Sequence, residues 1–387
     1  MISRAERSFV GEWWWTVDRL LVAAFVSLMI AGIVLSFAAS PPVADRLGLP
    51  LFHFVNRHLI FLVPAILVMI ATSFLAPRDI RRLAIVLFGV GVVMMAATLF
   101  IGAEIKGARR WLSIAGVAVQ PSEFVKPAFV VLAAFLFSES MKRRDVPGKL
   151  LAFALLGVTV GLLVLQPDLG QTILVAAVWG GLFFLAGLSW VWVIGLGGAA
   201  VFGIFGAYYT LNHVRLRIDR FLDPESGDTY QIDRSLEAFA NGGWLGTGPG
   251  EGTVKRVIPD GHTDFVFAVT GEEFGTVACL LLASVFAFVV VRGLLHALRE
   301  EDPFVRLAVA GLSMLFGLQS SINMMVNLHM MPAKGMTLPF ISSGGSSMIS
   351  LGLGMGMLLA LTRRRPRTDM HAARMAADAA RLDGAPA

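Results

Sequence analysis

The sequence predicts an all-α membrane protein, a polytopic bundle of about ten transmembrane helices. Of its 387 residues, 56% are hydrophobic and only 15% are charged, against about 25% charged in an ordinary soluble domain. A mean hydropathy of +0.73 cannot be hidden beneath one water-facing surface. The apolar residues also gather into runs close to the length, about 20 residues, that a helix needs to cross the hydrocarbon core. A soluble enzyme and a secreted scaffold are both excluded.

Ten runs follow in order, at 20–39, 59–76, 83–101, 124–137, 150–165, 169–188, 190–211, 265–295, 304–331 and 347–361. The stretch from Leu169 to Leu211 is too long for one helix and is divided at Ser189. Three parts result: a cytoplasmic N-terminal segment over 1–19, a membrane domain over 20–361, and a basic, flexible cytoplasmic tail over 362–387. A long extracytoplasmic loop, 212–263, joins the seventh and eighth helices, and a re-entrant segment precedes the tenth.

Basic residues orient the bundle. Arg78, Arg81 and Arg82 follow the second run, Lys142, Arg143, Arg144 and Lys149 follow the fourth, and Arg363, Arg364, Arg365 and Arg367 follow the last. With ten spans these lie on one side, which the positive-inside rule makes the cytoplasm, together with both termini. A membrane with the cytoplasm on its basic side is the expected location. The net charge of +5 reflects this bias and points to no nucleic acid. Cys279, the single cysteine, can form no intrachain disulfide.

The informative polar residues are expected at the outer face. Gly107 through Leu112, with Arg109, Arg110 and Trp111, lead through an amphipathic stretch to Gln120, Pro121, Ser122, Glu123 and Lys126. Glu123 and Lys126 share a helix face, either as a structural ion pair or as a pocket wall. Gln166, Pro167, Asp168, Gly170 and Gln171 form a turn whose proline, aspartate and glycine a tight connection explains; the glutamines suit a sugar or pyrophosphate. The long loop is charge-mixed, with a glycine-rich centre from Gly242 to Gly250 that reads as close backbone approach. His262, Thr263 and Asp264 stand where water gives way to lipid. Partial desolvation there disfavours a charged carboxylate, which suits Asp264 to act as a base; a helix cap is its structural alternative. Asn323, Asn327 and His329 end the ninth run, and Pro332 to Ser347, including Lys334 and Ser346, reads as the re-entrant segment. Gly352 and Gly356 read as helix-packing contacts.

Taken together, Gln120-Pro121-Ser122-Glu123 with Lys126, Gln166-Pro167-Asp168-Leu169-Gly170, His262-Thr263-Asp264-Phe265 with Glu272-Glu273-Phe274-Gly275, and Leu338-Pro339 through Ser342 to Ser347 resemble the SEDS family (shape, elongation, division and sporulation). The resemblance runs from about Trp13 to Leu361. The loop Pro332 to Pro339 is similar to that of the division member rather than the elongation member, whose loop usually lacks the lysine found here at Lys334. Ser343 stands where the family usually has tyrosine, and His329 where it often has glycine.

The resemblance implies a peptidoglycan glycosyltransferase that polymerises lipid II, the lipid-linked disaccharide, at the outer face of the cytoplasmic membrane during division. Asp264 is implied as general base, with Glu123 and Lys126 in the same pocket. Arg109, Trp111, Gln120, Ser122, Asp168, Gln171, His262, Lys334 and Ser346 are the expected substrate contacts, Lys126 or Arg109 countering pyrophosphate charge. No cofactor is required by the sequence, although magnesium or manganese can accompany the pyrophosphate. The implied partners are a class B penicillin-binding protein, which would supply the transpeptidase, and other membrane proteins of the division complex. An elongation polymerase and a lipid II flippase are the alternatives; a flippase needs polar groups along the whole crossing, and charges in the cytoplasmic halves of the spans are nearly absent.

Overall fold

The computed structural model describes residues 9–105, 108–114, 116–143, 145–187, 190–210, 212–223, 230–332 and 335–364. Lys334 and most of the C-terminal tail therefore lie outside the described residues. A short helix, α1 (Phe9–Thr16), precedes the membrane body. A helix then stands at each of the ten expected positions: α2 (Arg19–Arg46), α3 (His53–Ser73), α4 (Pro77–Ile101), α5 (Pro121–Lys142), α6 (Gly148–Leu165), α7 (Leu169–Leu185), α8 (Trp190–Thr210), α11 (Val266–Arg299), α12 (Pro303–Asn327) and α13 (Ser346–Leu361). Two more, α9 (Asn212–Leu222) and α10 (Tyr230–Gly242), lie within the long loop. Among the described residues seven helices are long and apolar enough to cross a membrane, and α7 and α13 are shorter apolar helices.

Local chemistry explains where the helices start. Pro77, Pro121 and Pro303 begin α4, α5 and α12, where a missing N–H costs nothing. The carboxylates of Asp18, Asp168 and Asp302 accept backbone N–H groups at the starts of α2, α7 and α12, satisfying donors that the helix leaves open. The division of the 169–211 stretch falls where Gly187, with φ +86°, closes α7 in a left-handed conformation.

The interior is built around α5 and α12, whose buried residues run almost without interruption from Val125 to Ala134 and from Leu307 to Leu312. Gly356 of α13 lies so close to α3 that an added Cβ would fall 1.8 Å from Thr72 Oγ1 and 2.5 Å from the Met69 carbonyl oxygen. This is the packing role expected of it. By contrast α8 stands at the periphery. Its Trp192 ring lies 6.1 Å from Phe153 and 6.3 Å from Phe183, while Val191, Ile194, Phe202 and Tyr209 are open to lipid.

Three features depart from simple spans. Between α4 and α5, where an amphipathic stretch was expected, the chain forms an antiparallel meander of β1 (Ala103–Ile105), β2 (Ala108–Ile114) and β3 (Val117–Val119). Ala108 and Leu112 are buried and Arg109 and Ser113 exposed, the two-residue alternation of a strand. The re-entrant segment passes beside the middle of α2: an added Cβ on Gly32 would meet the Phe340 carbonyl oxygen at 2.2 Å, and the Phe340 ring lies 5.9 Å from Phe25. Finally, α11 breaks at Gly275 (φ 78°, ψ 178°). Its 34 residues would span about 51 Å, far more than the hydrocarbon core. Apolar residues run from Phe274 to Val291, between Glu273 and Arg292, so Val266 to Glu273 belong to the cap above the bundle.

Candidate active site

At the end of the bundle opposite α1 and the last turn of α13 lies a cavity of about 750 Å³. Asp264, Glu123, Trp111, Gln120, Gln171 and His262 line it, together with Arg57, Arg110, Tyr230 and Gln231. Its floor is formed by the end of the re-entrant segment, Ser343 to Gly345, and the first turn of α13.

The Glu123 side of the cavity is a buried network. Glu123 opens α5, and one helical turn on, the Lys126 ammonium lies 2.9 Å from its carboxylate. Both are almost fully enclosed, at 6% and 2% exposure. A second carboxylate oxygen accepts the Gln171 amide at 2.8 Å. Lys126 also donates to Gln319 of α12 at 3.1 Å, and Gln319 in turn donates to the Thr337 carbonyl. Lys126 therefore does not line the cavity. It supports Glu123 from behind and ties α5 to α12 and the re-entrant segment.

The arginines divide by strand alternation. Arg110, on the inward face of β2, lines the cavity and lies 3.5 Å from the Asp168 carboxylate. It also donates to the carbonyls of Gln166 and Pro167. Arg109 points the other way and pairs with Glu104 on the exposed face of the meander. Of the two, Arg110 lines the cavity and Arg109 does not. Asp168 caps α7 and holds Arg110 rather than facing the cavity; burial pushes its carboxyl up, and the Arg110 charge opposes this. Ser122 is buried in the first turn of α5. Ser346 accepts the Gln120 backbone N–H at 3.1 Å, locking the starts of α5 and α13 together.

The opposite wall carries Asp264. Its carbonyl accepts the side-chain amides of Asn323 and Asn327, each at 2.9 Å, so α12 grips the main chain at this residue. Its carboxylate faces the re-entrant segment, where a Cβ on Gly335 would approach Oδ2 to 3.1 Å. Ser342 donates to the Thr263 carbonyl and the Ser343 N–H to the His262 carbonyl, fastening the same loop from below. His262 packs against Phe54, ring centroids 4.2 Å apart, and burial pushes its imidazole down to about 4. It is neutral at physiological pH.

Behind this wall, Glu272 acts as a strap. Its carboxylate accepts the backbone N–H groups of Val254 and Lys255, both at 2.7 Å, and the Asn241 amide at 3.0 Å. Lys255 pairs with Glu273 and donates to the Ala38 carbonyl of α2. The glycine-rich loop is thereby bound to α11 immediately before its break. Sequence reasoning left Arg57, Tyr230 and Gln319 unassigned. Arg57 had a signal, because Asn56-Arg57-His58 is a polar triplet at the head of an apolar run.

Three carboxylates, Glu123, Asp260 and Asp264, two guanidinium groups and several amides around one cavity suit a hydroxyl-rich substrate that also carries anionic groups. Glu123 is engaged by Lys126 and Gln171, and Asp168 by Arg110. No group of three or more His, Cys, Asp or Glu residues able to hold a metal occurs among the described residues.

Comparison with known proteins agrees with this arrangement. A family model for the FtsW, RodA and SpoVE cell cycle proteins matches residues 18–366. A Caulobacter vibrioides protein named "Probable peptidoglycan glycosyltransferase FtsW" is 48% identical over 94% of each chain, and a Polynucleobacter necessarius protein of the same name is 36% identical over 88% of this chain and 85% of its own. A chain from a peptidoglycan synthase complex, solved to describe coordination of polymerization and crosslinking, has a TM-score of 0.76 at 29% identity, covering 90% of this chain and 98% of that one. Rod shape determining protein RodA of Thermus thermophilus has a TM-score of 0.67 at 28% identity, covering 91% and 99%. A match of this extent, over the residues that build the cavity, means that the chain belongs to the FtsW/RodA/SpoVE family, the SEDS family of multi-pass membrane proteins.

Proposed function

We propose that this protein is a peptidoglycan glycosyltransferase of cell division that polymerises lipid II at the outer face of the cytoplasmic membrane. The observation that carries this reading is the cavity at the end away from α1, with Asp264 held in one wall and Glu123 in the other. The basic residues at the terminal end support an orientation with both termini cytoplasmic. The 48% identical relative named FtsW favours division over elongation.

In the proposed reaction the 4-hydroxyl of the acceptor N-acetylglucosamine attacks the anomeric carbon of the donor N-acetylmuramic acid. The new glycosidic bond forms as the bond to undecaprenyl pyrophosphate breaks, with inversion, and the hydroxyl proton passes to Asp264. Arg57 and Arg110 face the cavity and counter the pyrophosphate charge; Lys126 holds Glu123 in place. Magnesium or manganese, if bound with the pyrophosphate, would add to the neutralisation of its charge. Crosslinking is assigned to a class B penicillin-binding protein, in line with the similar chain from a peptidoglycan synthase complex.

The test is Asp264→Asn, purified with that partner and supplied with labelled lipid II. The expected result is loss of glycan polymer on gels with folding and partner binding intact. Undiminished polymer would remove Asp264 from the mechanism.

A further inference from the structure

We propose that the terminal end of the bundle carries a binding site for an anionic phospholipid, formed by Trp14, Trp15, Arg19 and Arg364. The site is built on α1. The Trp13 indole donates to Ser73 Oγ at 2.8 Å, and its ring packs 5.4 Å from Phe74, which pins α1 to the end of α3. The chain leaving α13 closes over it: Arg363 donates to Thr16 Oγ1 at 2.9 Å, and the Arg364 backbone N–H donates to the Thr16 carbonyl at 2.9 Å.

With Trp13 turned inward, Trp14 and Trp15 turn outward, each 38% exposed. The Arg19 guanidinium lies over both, 5.3 Å and 4.5 Å from their ring centroids. Next to it Leu20, 51% exposed, begins the lipid-facing side of α2. Apolar rings, a guanidinium and the start of a lipid-facing helix thus meet at one level, the level of phospholipid phosphates.

Charge selects the occupant. Asp18, the nearest acidic residue in sequence to Arg19, is engaged by Arg292 and His296, and the charge of Glu12, the acidic residue of α1, acts on Arg363. Among the described residues no carboxylate pairs with Arg19 or Arg364. Guanidinium groups bind phosphate oxygens in a fork and stack on aromatic faces. A zwitterionic headgroup would bring its ammonium against this surplus; an anionic one brings only phosphate.

The experiment uses the full chain in detergent, with lipid adducts counted by native mass spectrometry. Phosphatidylglycerol and phosphatidylethanolamine of identical acyl chains are titrated in parallel, and inorganic phosphate is added as competitor. Phosphatidylglycerol is expected to be preferred about tenfold, and Arg19→Gln with Arg364→Gln to bring the two lipids close to parity. Trp14→Ala with Trp15→Ala is expected to weaken both lipids. Arg364→Gln alone, on exposed chain beyond α13, serves if the double variant fails to fold; its expected effect is a partial loss of preference. Equal binding of the two lipids, a preference that survives loss of the arginines, or displacement by millimolar phosphate would overturn the proposal. Which leaflet supplies the lipid rests on the orientation proposed above. Binding in detergent does not, and labelling of a cysteine introduced in the tail tests orientation separately.

Discussion

Glu123 and Lys126 are conspicuous in the sequence because charge inside apolar text is rare. Their spacing left two readings open, and the structure separates the partners: only Glu123 reaches the cavity. Truncating either side chain leaves a buried charge unpaired, at about 3–5 kcal/mol, so Glu123→Ala and Lys126→Ala are each expected to abolish polymerisation. Exchanging the two charges is expected to restore the melting temperature without restoring polymer. Recovered polymer would return the pair to a purely structural role. The choice between Arg109 and Arg110 was not legible, because adjacent residues are separated only by strand register. His329 shows a different kind of residue effect. It holds φ at 55°, a conformation that costs an L-residue about 1–2 kcal/mol. His329→Gly is expected to raise the melting temperature, by about 1 kcal/mol of stability.

At the scale of elements, hydropathy located the ten membrane helices because lipid rewards a single property over a long window. The three-residue strands β1 and β3 have no such window, and neither alternation nor propensity can distinguish them from coil. Helices α9 and α10 were hidden by the mixed charge of the long loop. The break in α11 was hidden too, since a glycine in an apolar run reads as packing. Its environment shows why glycine stands there: a Cβ on Gly275 would meet Gly246 N and the Trp244 carbonyl oxygen, each at 2.4 Å, and its φ/ψ pair is essentially reserved for glycine. Gly275→Ala is expected to cost about 3 kcal/mol and to loosen the loop from Gly242 to Val257. A lowered melting temperature together with faster proteolysis within that loop would be the signature.

For the molecule as a whole, the two ends carry different charges for different reasons. At the terminal end the start of α2 is bound to α11 through Asp18, which receives hydrogen bonds from Arg292 and His296. Burial would push its carboxyl up, but those bonds, the Leu21 N–H and the Arg292 charge outweigh it and hold the carboxyl well below the usual range. A carboxyl lowered on folding stabilises the protein above its unfolded value, 3.8, and loses that contribution as pH falls below it. Asp18→Asn is therefore expected to destabilise at pH 7 by about 1–3 kcal/mol, with the gap from the unaltered protein narrowing in melts below about pH 4. At the cavity end, charge was legible as to which walls exist and illegible as to their backing. Asn323 and Asn327 were visible as polar residues late in a span, but their purpose emerged only from the fold. They grip the carbonyl of Asp264 rather than its carboxylate, so the proposed base is anchored to α12 through its main chain. The opposite end of α12 starts at Asp302, whose carboxylate receives Lys142 from α5, the helix that bears Glu123. Glu123 and the main chain of Asp264 are thus anchored on two helices, α5 and α12, that meet again at the far side of the membrane through Lys142 and Asp302.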